Sequence, residues 1–215
     1  FCKGVEIMAT FKTYFKKEWT ELFRSYKVLI LGAILLFFAI STPLILYITP
    51  KILETQFTGD VDLSNLIVVN LETGIYNYLG DVYQIFSIVV MFFVLKIFTF
   101  EYESRKIVIP LKAGANIKMM TLSKYIFIST FLSIIMLIAG ALNYLYTGIL
   151  LDDFTISLMI ALKNTTSLII FLLLNIALIQ LLSTIRLRKF FIMFITLIHF
   201  FAMPSFMNMF NKLTI

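Results

Sequence analysis

The chain has 215 residues, of which 60% are hydrophobic and only 14% charged, with a mean hydropathy of +0.98. That composition excludes a water-soluble domain of this size: lipid is the solvent for most of the chain, and once the apolar runs are set aside no stretch remains that could bury a core of its own. The formal net charge of +6 does not point to nucleic acid, because the basic residues sit in short clusters beside apolar runs; membrane orientation and anionic lipid account for them.

Cys2 is the only cysteine, which excludes an internal disulfide and a thiolate metal cluster. Lys3-Gly4-Val5-Glu6-Ile7-Met8 back-translates to a purine-rich, ribosome-binding-like tract ahead of a start codon, so translation is expected to begin at Met8, with residues 1–7 untranslated. Residues 11–27 carry Phe11, Tyr14, Phe15, Trp19, Leu22, Phe23 and Tyr26 on one helical face, with Lys12, Lys16, Lys17, Glu21 and Arg24 opposite. The spacing predicts an amphipathic helix lying on the inner leaflet, in which Phe15 and Trp19 sit at the headgroups and Arg24 faces water.

Residues 28–49 contain no charge and are long enough to cross about 30 Å of hydrocarbon, with Pro43 as an expected kink. The positive charge ahead of this run resembles that of a signal peptide, but the run is too long and has no small-residue cleavage site, so it reads as a retained anchor. Pro50 to Gly80 mixes Glu54, Asp60, Asp62 and Glu72 with apolar residues and reads as a partly helical segment at the outer surface. Residues 82–100 form the second run, whose Lys96 can extend its ammonium to the interface. A polar, basic loop spans 101–124. Further apolar runs follow at 125–147, 165–184 and 190–209, the last broken by His199, Pro204 and Asn208.

The basic residues orient these runs. Six precede the first span (Lys3, Lys12, Lys16, Lys17, Arg24, Lys27), and five lie between the second and third (Arg105, Lys106, Lys112, Lys118, Lys124). Arg186, Arg188 and Lys189 lie between the fourth and fifth; with Lys96, fifteen of the eighteen fall on one side. The N-terminus is therefore expected in the cytoplasm. Five spans would leave Ile215 outside directly after a Pro-broken run, and a sixth span is expected to be missing.

The chemistry-bearing patterns are few. No G-x-x-x-x-G-K-[ST] occurs, so ATP must act through a partner chain. His199 is the sole histidine, too few for a histidine metal site or a paired relay, and is expected to hydrogen-bond between helices. Asn143, Asn164, Asn175 and Gln180 are uncharged polar residues at membrane depth; they either join helices or line a pathway, and Asn164 and Asn175 share one helical face. Glu101-x-x-x-Arg105 matches one motif of the CAAX-protease-like intramembrane hydrolases, whose two further histidine motifs cannot both exist here.

Taken in order, the amphipathic entry helix, first span, long outer segment and second span ending in Phe98-x-x-Glu101-x-Glu103 resemble the type-2 ATP-binding-cassette exporter permeases. In that family the second span runs into a cytoplasmic E-x-E-x-G-T stretch, an apolar turn, a Pro-and-Arg element and a Lys that opens the third span. This chain reads Glu101-Tyr102-Glu103-Ser104-Arg105-Lys106, then Ile107 to Lys112, Asn116-Ile117-Lys118 and Lys124-Tyr125. Arg105-Lys106 replaces Gly-Thr, Gly114 stands near the expected Pro, and Lys118 stands where Arg is common.

The resemblance covers about residues 8 to 210 and implies an all-α membrane protein with six spans in its full-length form. It also implies that Glu101, Glu103, Arg105, Lys106, Lys112 and Lys118 form a coupling loop that touches a separate ATPase subunit. The partners it implies are that ATPase carrying ATP-Mg, a second permease in a homodimer or heterodimer, and membrane lipid; the location is the bacterial plasma membrane. This chain itself would hold no cofactor and catalyse no reaction, and the transported substrate is not encoded in any motif. Two other classes of function are compatible with the pattern: an intramembrane hydrolase of the CAAX-protease-like kind, which would need further histidines, and a non-transporting immunity or sensor-partner membrane protein.

Overall fold

The computed structural model describes residues 2–24, 26–56, 69–103, 108–185 and 187–213, and every regular element in it is helical. The helices are α1 (Cys2–Arg24), α2 (Lys27–Gln56), α3 (Leu71–Asp81), α4 (Ser87–Glu103), α5 (Val108–Lys112), α6 (Ile117–Leu151), α7 (Leu158–Thr184) and α8 (Lys189–Leu213). A π-helical turn, Val82–Phe86, joins α3 to α4. Helices are the expected solution, since in lipid every backbone polar group must find its partner within the segment.

Among the described residues, four stretches are long and apolar enough to cross a membrane: Leu29–Leu53, Leu71–Phe100, Ile117–Leu151 and Leu158–Thr184. They make this a candidate multi-pass membrane protein. Of α8, the residues whose side chains are described form a shorter apolar helix, Lys189–Ala202. The second stretch begins at Leu71, well before the Val82 that the charge pattern marked as its start. Leu71, Ile75, Tyr78, Val82 and Phe86 are all buried at spacings of three and four, so one apolar stripe carries the helix past the charge at Asp81. The expected surface segment Pro50–Gly80 is helical at both ends, in α2 and α3; residues 57–68 lie outside the described part.

The chain divides into two units. One contains residues 25–88 and 131–170. Within it, α2 and α6 approach at Gly32, where an added Cβ would stand 3.2 Å from Ile135; α6 and α7 approach at Gly140, against Thr165. Small residues at such crossings let backbones come together where lipid supplies no hydrophobic drive. Leu71, Ile75, Tyr144 and Ala161 form its buried cluster, with Leu79 and Ile156 packed against it.

The α6–α7 connection locks onto this cluster. Asp152 adopts a left-handed φ of 50° and the Asp153 N–H reaches the Gly148 carbonyl (3.1 Å), a Schellman-type closure of α6. Asp153 Oδ2 then accepts the Leu71 N–H (2.9 Å) while Asn70 Oδ1 accepts the Thr73 N–H (2.8 Å), so two side chains cap the first turn of α3. Tyr144 donates its hydroxyl to the Ile156 carbonyl (2.8 Å) and meets the Phe154 ring edge-on.

The other unit contains residues 1–24, 89–130 and 171–215. In it, α5 ends with Gly114 at φ 83° and the Ala115 N–H bonded to the Pro110 carbonyl (3.0 Å), a turn that suits glycine at the left-handed position. Asn116 opens α6 by accepting the Lys118 N–H (3.0 Å).

Candidate functional site

The polar residues of the apolar helices have separate uses. Pro43 lies inside α2 and has no N–H, so the carbonyl of Ala39, four residues earlier, has no helical donor. Asn143 of α6 is buried, and its Nδ2 donates to that same Ala39 carbonyl at 3.2 Å; the asparagine repairs the gap the proline makes. Asn175 Nδ2 donates to the Phe171 carbonyl (2.9 Å), which leaves Oδ1 as an acceptor for His199 Nδ1 at 3.0 Å. Gln180 Nε2 donates to the Thr121 carbonyl (3.1 Å). Asn143, Asn175, Gln180 and His199 thus bond helix to helix. Asn164 is half-buried; it lies on the same helix as Asn175, α7, in the part that belongs to the other unit.

The amphipathic face of α1 meets protein. Phe127 of α6 receives the rings of Phe15 (5.3 Å between centroids) and Trp19 (5.8 Å), both edge-on. Glu18 lies on that apolar face, only 4% exposed, with its carboxylate 3.7 Å from the Lys124 ammonium of α6. Trp19 keeps 53% of its surface open and Arg24 is exposed. Lys112 and Lys118 are exposed beside α5, whose Ile109 is 73% exposed. Glu101 and Glu103 fall in the last turn of α4; their side chains, and all of Arg105 and Lys106, lie outside the described part. Lys96 and Lys189 stand at an apolar groove of about 690 Å³ between α4 and α8, lined by Phe92, Leu95, Phe190 and Met193.

The arrangement that the sequence pattern did not reveal is a cavity of about 480 Å³ with mixed polar and apolar lining between α2 and α3. On α2 it is lined by Thr42, Ile45, Leu46 and Thr49; on α3 and the π turn, by Tyr76, Asn77, Gly80, Asp81 and Gln84. Both sets recur at spacings of three and four, a stripe on each helix. Thr42 donates its hydroxyl to Asp81 Oδ2 at 2.7 Å. Thr42 stands about 20 Å from Leu29 and about 16 Å from Leu53 at 1.5 Å per residue, so the Asp81 carboxylate lies near the middle of the span that Thr42 belongs to. Directly after Asp81 comes the π turn, where the Ser87 N–H and hydroxyl both reach the Val82 carbonyl. Such turns are frequent at functional sites. The helical spacing of Asn77, Asp81 and Gln84 is the signal that was there to find. Among the described residues no group of three His, Cys, Asp or Glu side chains comes together to hold a metal ion.

Outside the spans, Asp153 titrates below the usual carboxylate range. The Leu71 N–H lowers it most, followed by the backbone and side chain of Thr155, and all of these favour the ionised form.

An all-helical chain with four candidate spans among its described residues, its buried polar residues bonding helix to helix and one carboxylate facing a cavity within a candidate span, is the class of protein defined here. Comparison with protein-family models, with curated proteins and with solved structures gave no match.

Proposed function

We propose that this chain is the membrane-spanning permease subunit of an ATP-binding-cassette exporter, set in a bacterial plasma membrane with its N-terminus in the cytoplasm. It pairs with a second permease and is driven by ATP hydrolysis on a separate subunit. The observation that carries the reading is the seating of α1. Phe15, Glu18 and Trp19 engage Lys124 and Phe127, the residues at which the basic 101–124 loop enters the third apolar run. An entry helix fastened to the end of a charged loop moves with that loop. Force applied there by an ATPase would thus reach the helices on either side, as element-by-element switching requires.

The loop residues Glu101, Glu103, Arg105, Lys106, Lys112 and Lys118 are the surface assigned to the ATPase, and the distribution of basic residues supports their cytoplasmic placement. The test is copurification of this chain with an ATPase encoded beside it, followed by ATP turnover in reconstituted vesicles. Replacing Glu101 and Glu103 together by Ala is expected to leave the complex's basal turnover in place and abolish its response to substrate. Unchanged coupling and unchanged transport would remove the loop from the mechanism.

A further inference from the structure

We infer that the cavity between α2 and α3 binds an organic cation, an ammonium-type group carried on an apolar body, with Asp81 as its counter-charge. A carboxylate at membrane depth is costly unless paired, and such residues mark ligand or ion pathways. Asp81 accepts one hydrogen bond, from Thr42, and among the described residues no Lys, Arg or His forms an ion pair with it. The charge is oriented by the hydroxyl and left for something that enters the cavity.

The surroundings decide the chemical class. About 480 Å³ is the size of a small-molecule site and far exceeds a dehydrated inorganic ion, which needs several oxygens closed around it. Here one carboxylate is joined by the amides of Asn77 and Gln84, while Ile45 and Leu46 supply an apolar wall. Tyr76 adds an aromatic side chain to the lining, a residue type that attracts cations. An added Cβ at Gly80 would meet nothing within 4 Å, so the space beside Asp81 is open.

In calling the ligand a substrate this rests on the exporter reading; the binding does not, because it needs no ATPase. The full chain, purified in lipid nanodiscs without any partner, is titrated with tetraphenylphosphonium and with tetraphenylborate, ions of matched shape and opposite charge. Saturable binding of the phosphonium alone is expected, weakened at least tenfold in Asp81→Asn, a change that keeps the side chain's shape and a hydrogen bond to Thr42. Gln84→Lys places an ammonium in the cavity and is expected to abolish binding, whereas Asp81→Glu keeps the charge selectivity. Equal phosphonium binding by Asp81→Asn and wild type, or equal binding of the borate by wild type, overturns the inference, as does stoichiometric displacement by millimolar sodium. Selective binding without any effect on a partner's ATP turnover would keep the site and remove the exporter reading.

Discussion

The pairing of Pro43 with Asn143 predicts a coupling that a double-mutant cycle can read. In wild type the Ala39 carbonyl has no helical donor, and Asn143 Nδ2 supplies one at 3.2 Å. Interhelical side-chain hydrogen bonds in membranes contribute on average about 0.6 and at most about 1.7 kcal/mol. A buried carbonyl stripped of its partner costs about 1–3 kcal/mol. Asn143→Ala is therefore expected to destabilise by about 1–2 kcal/mol. Pro43→Ala restores the missing N–H, so Ala39 keeps a donor when Asn143 is removed; in that background the same substitution should cost under about 0.5 kcal/mol. The small cavity left by Asn143→Ala is common to both backgrounds and cancels. Reversible unfolding in mixed micelles, or steric trapping in bicelles, measures each corner of the cycle. An equal cost of Asn143→Ala with and without Pro43 would refute the argument that the asparagine serves the proline gap.

Gly140→Ala would set a Cβ 2.7 Å from the Thr165 hydroxyl, and unfolding titrations should show a loss of about 1–3 kcal/mol, largely recovered in the double variant with Thr165→Ala. Because the Asp153 carboxyl is held below its ordinary value, the folded state binds fewer protons than the unfolded one; its contribution is present above about pH 3.9 and lost as pH falls through the folded value. The Tm difference between wild type and Asp153→Asn should accordingly shrink on acidification below pH 4 and stay constant above it. Trp19 is the only tryptophan, so its emission reports the seat of α1: Phe127→Ala should shift the spectrum and expose residues 2–24 to proteolysis, and a spectrum identical to wild type would mean the contact is not formed.

Hydropathy alone determined much of this protein. The runs at 28–49, 82–100, 125–147 and 165–184 fall on the four candidate spans among the described residues, the second of which starts earlier, at Leu71; residues 11–24 of the facial pattern at 11–27 lie in α1, and Tyr26 lies past its end at φ 55°. Lipid allows no unsatisfied backbone, so a sufficiently long apolar run has one solution, and reading it requires no knowledge of neighbours. Asp81 broke that logic: the uncharged run in sequence starts after it, at Val82, whereas the helix starts at Leu71 and carries Asp81 inside it, beside Thr42. Glu18 presents the same problem on α1, an acid on an apolar face that stands 3.7 Å from Lys124 and 3.8 Å from Lys17. Periodicity tells which way a side chain points along its own helix, and the partner it meets there is fixed by how helices cross. That is why Asn143 and His199 could be recognised as polar residues at depth from sequence, while the proline gap one fills and the amide the other engages belong to the tertiary structure.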